Sequence, residues 1–171
     1  MLQEHLRAKV TDSPAVPTFI VDGMLGSIAR KLRILGFDTF YDPSLNDAGL
    51  LKIASSTERV LVTNDQDLFL MAKRRKLKSI RSGGKTERDR LYEVLAGAGQ
   101  RQIDTPSLVS RCTACNGNLE NSGKSLEGKS IFVCRSCGKT YWRGGHWKKL
   151  EKLFSEVNLM LQNGKNKSTV P

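Results

Sequence analysis

Four cysteines and a small set of aspartates are the residues of this chain whose types and spacing could do chemistry. The cysteines fall in two Cys-x-x-Cys pairs, Cys112/Cys115 and Cys134/Cys137, with residues 116–133 between them. That spacing fits a tetrahedral zinc site, each pair on a tight turn and strands between the pairs. Four thiolates fill the coordination sphere, so such a site is structural and keeps no open position for water. The competing reading is a pair of disulfides in a secreted protein. Metal spacing, and a polar N-terminus of mixed charge that does not read as a signal peptide, favour reduced thiolates in a cytoplasm.

The aspartates suit a harder ion, provided the fold gathers them. Residues 18–21 read as a first strand, followed by a helix carrying Met24, Leu25, Ile28, Leu32 and Leu35 and stopped by Gly36. Phe37 to Tyr41 reads as a second strand and Val60 to Thr63 as a third. Helices are expected from about Asn46-Asp47 and after Asn64-Asp65. Lys78 to Arg81 reads as a short fourth strand. Thr86 with Asp89 forms a capping-box pattern before a helix carrying Leu91, Val94 and Leu95. Strand and helix alternate, which predicts an α/β fold: a parallel sheet flanked by helices on both faces.

On that topology Asp22, Asp47 and Asp65 all follow strands, at the carboxyl rim where open α/β sheets bind ligands. Carboxylates gathered to about 4 Å repel by about 4 kcal/mol per pair at an effective dielectric of about 20. A divalent cation such as Mg2+ or Mn2+ removes that cost, and it can polarise a phosphodiester and acidify a bound water. The bland reading is that each aspartate is a helix N-cap. Asp67 and Asp42 are candidates for a fourth acid.

The chain has 171 residues, 39% of them hydrophobic, a net charge of +11 and a pI near 9.8. It can build a core, and it should attract polyanions, nucleic acid before anionic membrane. No apolar run approaches the roughly 20 residues that cross a bilayer. The densest basic run is Lys73-Arg74-Arg75-Lys76 with Lys78, Arg81, Lys85, Arg88 and Arg90. Arg30 and Arg33 lie on the helix after Asp22. Tyr141, Trp142, Arg143 and His146 could stack unpaired bases, with Lys148 extending a phosphate-binding face; the alternative is that His146 and Trp147 pack the zinc module against its neighbour. The nucleic-acid candidates are therefore Arg30, Arg33, Lys73, Arg74, Arg75, Arg143 and Lys148. With only His5 and His146, a paired-histidine mechanism has little support. The expected division is a tail over 1–17, a sheet domain over 18–105, a zinc ribbon over 106–147 and a helix with a tail over 148–171, with a linker near Thr105–Ser110.

The stretch Phe19-Ile-Val-Asp22-Gly-Met-Leu-Gly26-Ser-Ile-Ala-Arg30-Lys-Leu-Arg33-Ile-Leu-Gly36-Phe-Asp38 resembles the opening of the PIN-like ribonuclease domain first named from the C-terminus of Mut-seven exonucleases. Asn46-Asp47, Val62-Thr63-Asn64-Asp65, Asp67-Leu68, the four cysteines and Tyr141-Trp142-Arg-Gly-Gly-His146-Trp147 continue the likeness over about residues 18 to 150. The resemblance implies a PIN-type fold, a metal-dependent RNase site at Asp22, Asp47 and Asp65, and an appended zinc ribbon. Two positions depart from the family's pattern: Asn64 stands where a basic residue is usual, and Lys31 where an aromatic one is.

The expectation is an endoribonuclease that cuts RNA phosphodiesters at an Mg2+ or Mn2+ site held by Asp22, Asp47 and Asp65, with Asp67 as fourth acid. Zn2+ on Cys112, Cys115, Cys134 and Cys137 is structural, and the ribbon aids binding of RNA, a ribosome or a protein partner. The alternatives are a non-catalytic RNA- or ribosome-binding protein and a protein-interaction adaptor.

Overall fold

The computed structural model describes residues 16–103 and 110–164. Most of the expected N-terminal tail, the linker residues 105–109 and the end of the chain from 165 lie outside the described residues.

Strand β1 (Phe19–Val21) leads through a 3-10 turn (Gly23–Leu25) into α1 (Gly26–Ile34). There follow β2 (Thr39–Tyr41), α2 (Asp47–Thr57), β3 (Val60–Thr63), α3 (Gln66–Arg74), β4 (Ser79–Arg81) and α4 (Glu87–Gly97). The four strands form one sheet in the order β2-β1-β3-β4, every pair parallel. Alternation along the central strands assigns the faces. Phe19, Val21 and Val62 pack on one side with Ile28 and Leu32 of α1 and with Leu91, Val94 and Leu95 of α4. Ile20 and Leu61 pack on the other with Leu50, Leu51 and Ala54 of α2 and with Leu68 and Ala72 of α3. Strands buried on both faces read as continuous apolar runs, which is why Phe19-Ile-Val and Val60-Leu-Val carry no polar residue.

Strand β2 begins two residues later than the sequence pattern suggests. Helix α1 ends in a Schellman turn: the Gly36 amide donates to the Arg33 carbonyl and the Phe37 amide to the Leu32 carbonyl. Gly36 has φ +91°, a conformation that favours glycine. Phe37 and Leu32 meet in the core, so Phe37 closes the helix instead of opening the strand.

The second unit is an antiparallel sheet of β5 (Leu119–Leu126), β6 (Lys129–Cys134) and β7 (Thr140–Tyr141). Helix α5 (Trp147–Asn163) returns to the first unit. Its Phe154, Val157 and Leu161 are buried in the core shared by β1, α1 and α4. The ribbon is held to the sheet domain by polar contacts. The side chain of Asn116 accepts from the Thr39 amide at 3.0 Å, on the edge strand, and donates to Asp38 at 2.8 Å. Asp38 is also gripped by both terminal nitrogens of Arg59, and that hydrogen bonding holds its carboxyl below the usual range against the opposing effect of burial.

Arg33 makes the deepest of these contacts. It is 3% exposed, and its guanidinium donates to the carbonyls of Thr39, Thr113 and Ala114. A side chain spent on three backbone acceptors is not available to RNA, so the reading of Arg33 as a nucleic-acid contact is corrected here. Burial lowers its pKa, and the neighbouring Cys112, Cys115 and Asp38 oppose that shift. Its cation sits where four thiolates on a divalent ion would leave net negative charge.

Candidate functional site

The two Cys-x-x-Cys turns have matching geometry. The amide four residues after each first cysteine donates back to that cysteine's carbonyl, Asn116 to Cys112 at 2.8 Å and Gly138 to Cys134 at 2.9 Å. Both donors have positive φ, 68° and 72°. The four sulfurs lie within 4.8 Å of one another, with Cys112–Cys137 at 3.6 Å and Cys115–Cys134 at 3.4 Å. Tetrahedral Zn2+ with bonds of about 2.3 Å places sulfurs about 3.8 Å apart, so the donor set fits zinc. Burial works against ionising Cys112, but hydrogen bonds from Tyr141 and from the backbone of Cys115 and Ala114 bring its thiol down to about 6. Cys115 is pushed up to about 12: its bond from the Gly117 amide is outweighed by Cys134 and Cys137. Four adjacent thiols cannot all ionise without a cation among them, which is the role the zinc reading gives the ion. His146 stands exposed at the start of α5, outside this cluster.

The carboxyl rim of the parallel sheet is the second centre. Strand order reverses between β1 and β3, because α1 leaves β1 toward one face and α3 leaves β3 toward the other. That is the switch point at which open α/β sheets form a crevice. Asp22 follows β1 and Asp65 follows β3, one on each side of it. Thr63, fully buried at the end of β3, joins them. Its hydroxyl donates to Asp22 Oδ2 at 2.7 Å and accepts from the Asp65 amide at 2.9 Å. Asp65 also caps α3, its Oδ1 accepting from the amides of Asp67 and Leu68 at 2.7 and 2.8 Å. Asp22 precedes a 3-10 turn but makes no side-chain cap. Among the described residues, each of these carboxylates thus keeps an oxygen without a protein donor.

The other acids stand apart. Asn46, not Asp47, caps α2, and Asp47 sits exposed in the first turn with no side-chain partner among the described residues. Asp67 is exposed in the first turn of α3, where its charge favours the positive end of the helix dipole. Asp42 is engaged by the hydroxyl and amide of Ser44, which hold its carboxyl below the ordinary range. Among the described residues the four cysteines are the only group of three or more ligand-type side chains that could hold a metal. Asp22, Asp47 and Asp65 form no such group, which leaves the pair that Thr63 links. That still suits Mg2+ or Mn2+, which commonly take one or two carboxylates and fill the remaining positions with water and substrate oxygens.

The basic residues divide by helix polarity. Helix α3 runs away from the rim, so Lys73, Arg74, Arg75 and Lys76 stand at its far end. There Lys73 and Lys78 line an open cleft with Thr18 and Val60, at the starts of β1 and β3. The rim itself has exposed Arg81, in register with Thr63, and exposed Lys85 in the loop that follows. Arg30 is exposed one turn into α1. Lys31 pairs with Glu87 of α4 at 2.6 Å, tying the two helices at this edge. Thr63 and Arg81 are candidates that the sequence alone did not single out. A threonine ending an apolar strand two positions before an aspartate was the available signal for Thr63; nothing local marked Arg81 within its basic run.

Thr63→Val keeps the shape of the side chain and removes the bridge. Removing an outer partner of a metal ligand typically costs about 10–100-fold in metal affinity or activity. We expect a loss of that size in Mn2+ affinity by titration calorimetry for Thr63→Val, and near-parental affinity for Thr63→Ser.

A family model described as the Mut7-C RNAse domain matches residues 17–154. No curated protein and no solved structure matches the chain.

Proposed function

We propose that this chain, which belongs to the Mut7-C RNAse domain family, is a metal-dependent endoribonuclease whose centre is Asp22, Thr63 and Asp65. One observation carries the reading. The single buried hydroxyl of Thr63 donates to the Asp22 carboxylate and accepts from the backbone amide of Asp65, linking the two positions at the switch point of a parallel sheet. As N-caps alone, Asp22 and Asp65 would need no link to each other; as ligands of one ion they need a fixed relative placement.

In this reading Asp22 and Asp65 hold Mg2+ or Mn2+ through their free oxygens. When bound there, the ion supplies positive charge that polarises a phosphodiester and lowers the pKa of a coordinated water. Thr63 fixes the Asp22 carboxylate by donating to Oδ2, and the carboxylate so held would serve the ion. Arg81, Lys85 and Arg30 draw the RNA backbone to the rim, so binding weakens with added salt. Asp47 and Asp67, exposed in the first turns of α2 and α3, would add negative charge near the ion without ligating it. The zinc ribbon is structural. Reduced thiolates imply a cytoplasmic setting, and among the described residues no helix is long and apolar enough to cross a membrane.

The competing reading is an RNA- or ribosome-binding protein that does not cut, and the exposed placement of Asp47 and Asp67, outside any metal-binding group among the described residues, favours it. Incubating end-labelled single-stranded RNA with the protein separates the two. Internal cleavage that requires added Mn2+ or Mg2+ supports the nuclease. Retention of intact RNA at every metal concentration supports the binder.

A further inference from the structure

A cleft of about 190 Å3 lies where the zinc ribbon meets α1 and the start of α5. Its walls include the rings of Phe132, Tyr141, Trp142 and Trp147, and its charged lining residues are Arg111 and Arg143, with no acid among them. We propose that this cleft binds an unpaired nucleobase of single-stranded RNA. The proposal rests on RNA being the substrate and is independent of which residues cut it.

Three features argue for a base over an apolar segment of protein. First, the rings are held in place. The Tyr141 hydroxyl is 3.0 Å from Cys112 Sγ, so its ring is fixed by the zinc turn. Trp147 Nε1 donates to Glu151 at 2.6 Å, and the Arg143 guanidinium stacks 4.6 Å from the centre of the Trp147 ring. Flat, anchored aromatic and guanidinium surfaces are what a base stacks on, whatever its identity. Second, Trp142 is 51% exposed, and its indole makes no side-chain hydrogen bond among the described residues. A large ring left half in water gains the contact area that a stacked base supplies. Third, the charge is complementary to a nucleotide. Besides the two arginines, α5 begins beside the cleft with Lys148 and Lys149, no acid in its first turn and no side-chain cap. The Trp147 amide is taken by the Gly144 carbonyl, and the amides and side chains of Lys148 and Lys149 favour a phosphate next to the stacked base.

The cleft borders Ile34, at the end of α1 opposite the rim. Nine helical residues span about 13 Å. One strand must therefore run along the molecule to reach both places, and the ribbon then grips RNA away from the point of cleavage.

The chain has two tryptophans, and both line the cleft. Intrinsic fluorescence therefore reports on this site. The zinc-loaded full chain, without added Mg2+ or Mn2+, is titrated with oligouridine, and in parallel with inorganic polyphosphate of equal charge. Labelled-RNA anisotropy measures overall binding in the same buffer. Saturable quenching by oligouridine and none by polyphosphate is expected. Stacking on one ring contributes about 1–3 kcal/mol, so Trp142→Ala should weaken RNA binding about 5- to 100-fold while Trp142→Phe retains most of it. RNA that binds by anisotropy without quenching, or equal quenching by polyphosphate, overturns the cleft and leaves the nuclease reading standing. Unchanged affinity in Trp142→Ala, with zinc content and circular dichroism of the parent, also overturns it. No RNA binding at all, even at low salt, removes both.

Discussion

Asp22→Asn and Asp65→Asn should each lower Mn2+-dependent RNA cleavage by at least about 100-fold, beyond the roughly 10–100-fold typical for losing an outer partner of a metal ligand. Each change removes a charged oxygen that the proposed ion would use and keeps the side chain's shape. Asparagine also accepts hydrogen bonds, so in Asp65→Asn the new side chain can still cap α3 through the amides that Asp65 Oδ1 now engages. Stability should therefore change little, and RNA affinity should stay within about twofold, because the rim cations Arg81, Lys85 and Arg30 are untouched. Asp47→Asn and Asp67→Asn should cost less than about 10-fold, since neither side chain touches the bridge at Thr63. Cleavage rates on labelled RNA, with affinities measured alongside, rank the four variants. An order in which Asp47 matters as much as Asp22 would contradict a centre built on Asp22 and Asp65 alone.

Removing zinc should have the largest effect on stability. Metal binding in small zinc domains contributes on the order of 10 kcal/mol to folding. The ribbon's own packing is thin: Cys112 and Cys134 are its buried apolar residues, and much of β5 is exposed. Stripping zinc with a chelator should release backbone amides of β5 and β6 to hydrogen exchange. Amides of β1 and β3 should remain protected, because their core draws on α1, α4 and α5 and not on the ribbon. The loss should extend to the contacts of Arg33, whose acceptors Thr113 and Ala114 belong to the first cysteine turn. Protection of the ribbon that survives complete zinc removal would mean that the ribbon folds without metal.

How much of this was legible in the sequence depended on how local the cause was. Val60–Thr63 is a strand in both readings, because a run buried on both faces has no other interpretation at that length. The capping box at Thr86 and Asp89 is present as expected, since both of its hydrogen bonds lie within four residues. The cysteine spacing carried its own geometry. Arg33 could not be read, because the carbonyls that bury it lie 80 and 81 positions away. The place of the basic run at Lys73 could not be read for another reason. Charge is visible in sequence, but which end of a helix faces the rim follows from the direction of the strand before it. The two-carboxylate rim was only half legible. Asp22 and Asp65 follow adjacent central strands, whereas Asp47 follows the edge strand β2 and a longer loop, and strand adjacency is fixed by topology.

Crystals soaked in Mn2+ and measured at the manganese absorption edge give the most direct test of the central claim. An anomalous peak within bonding distance of both Asp22 and Asp65, absent in Asp22→Asn, is the expected result. Manganese confined to the cysteine cluster or to the exposed Asp47, with none between Asp22 and Asp65 at saturating metal, would contradict the account.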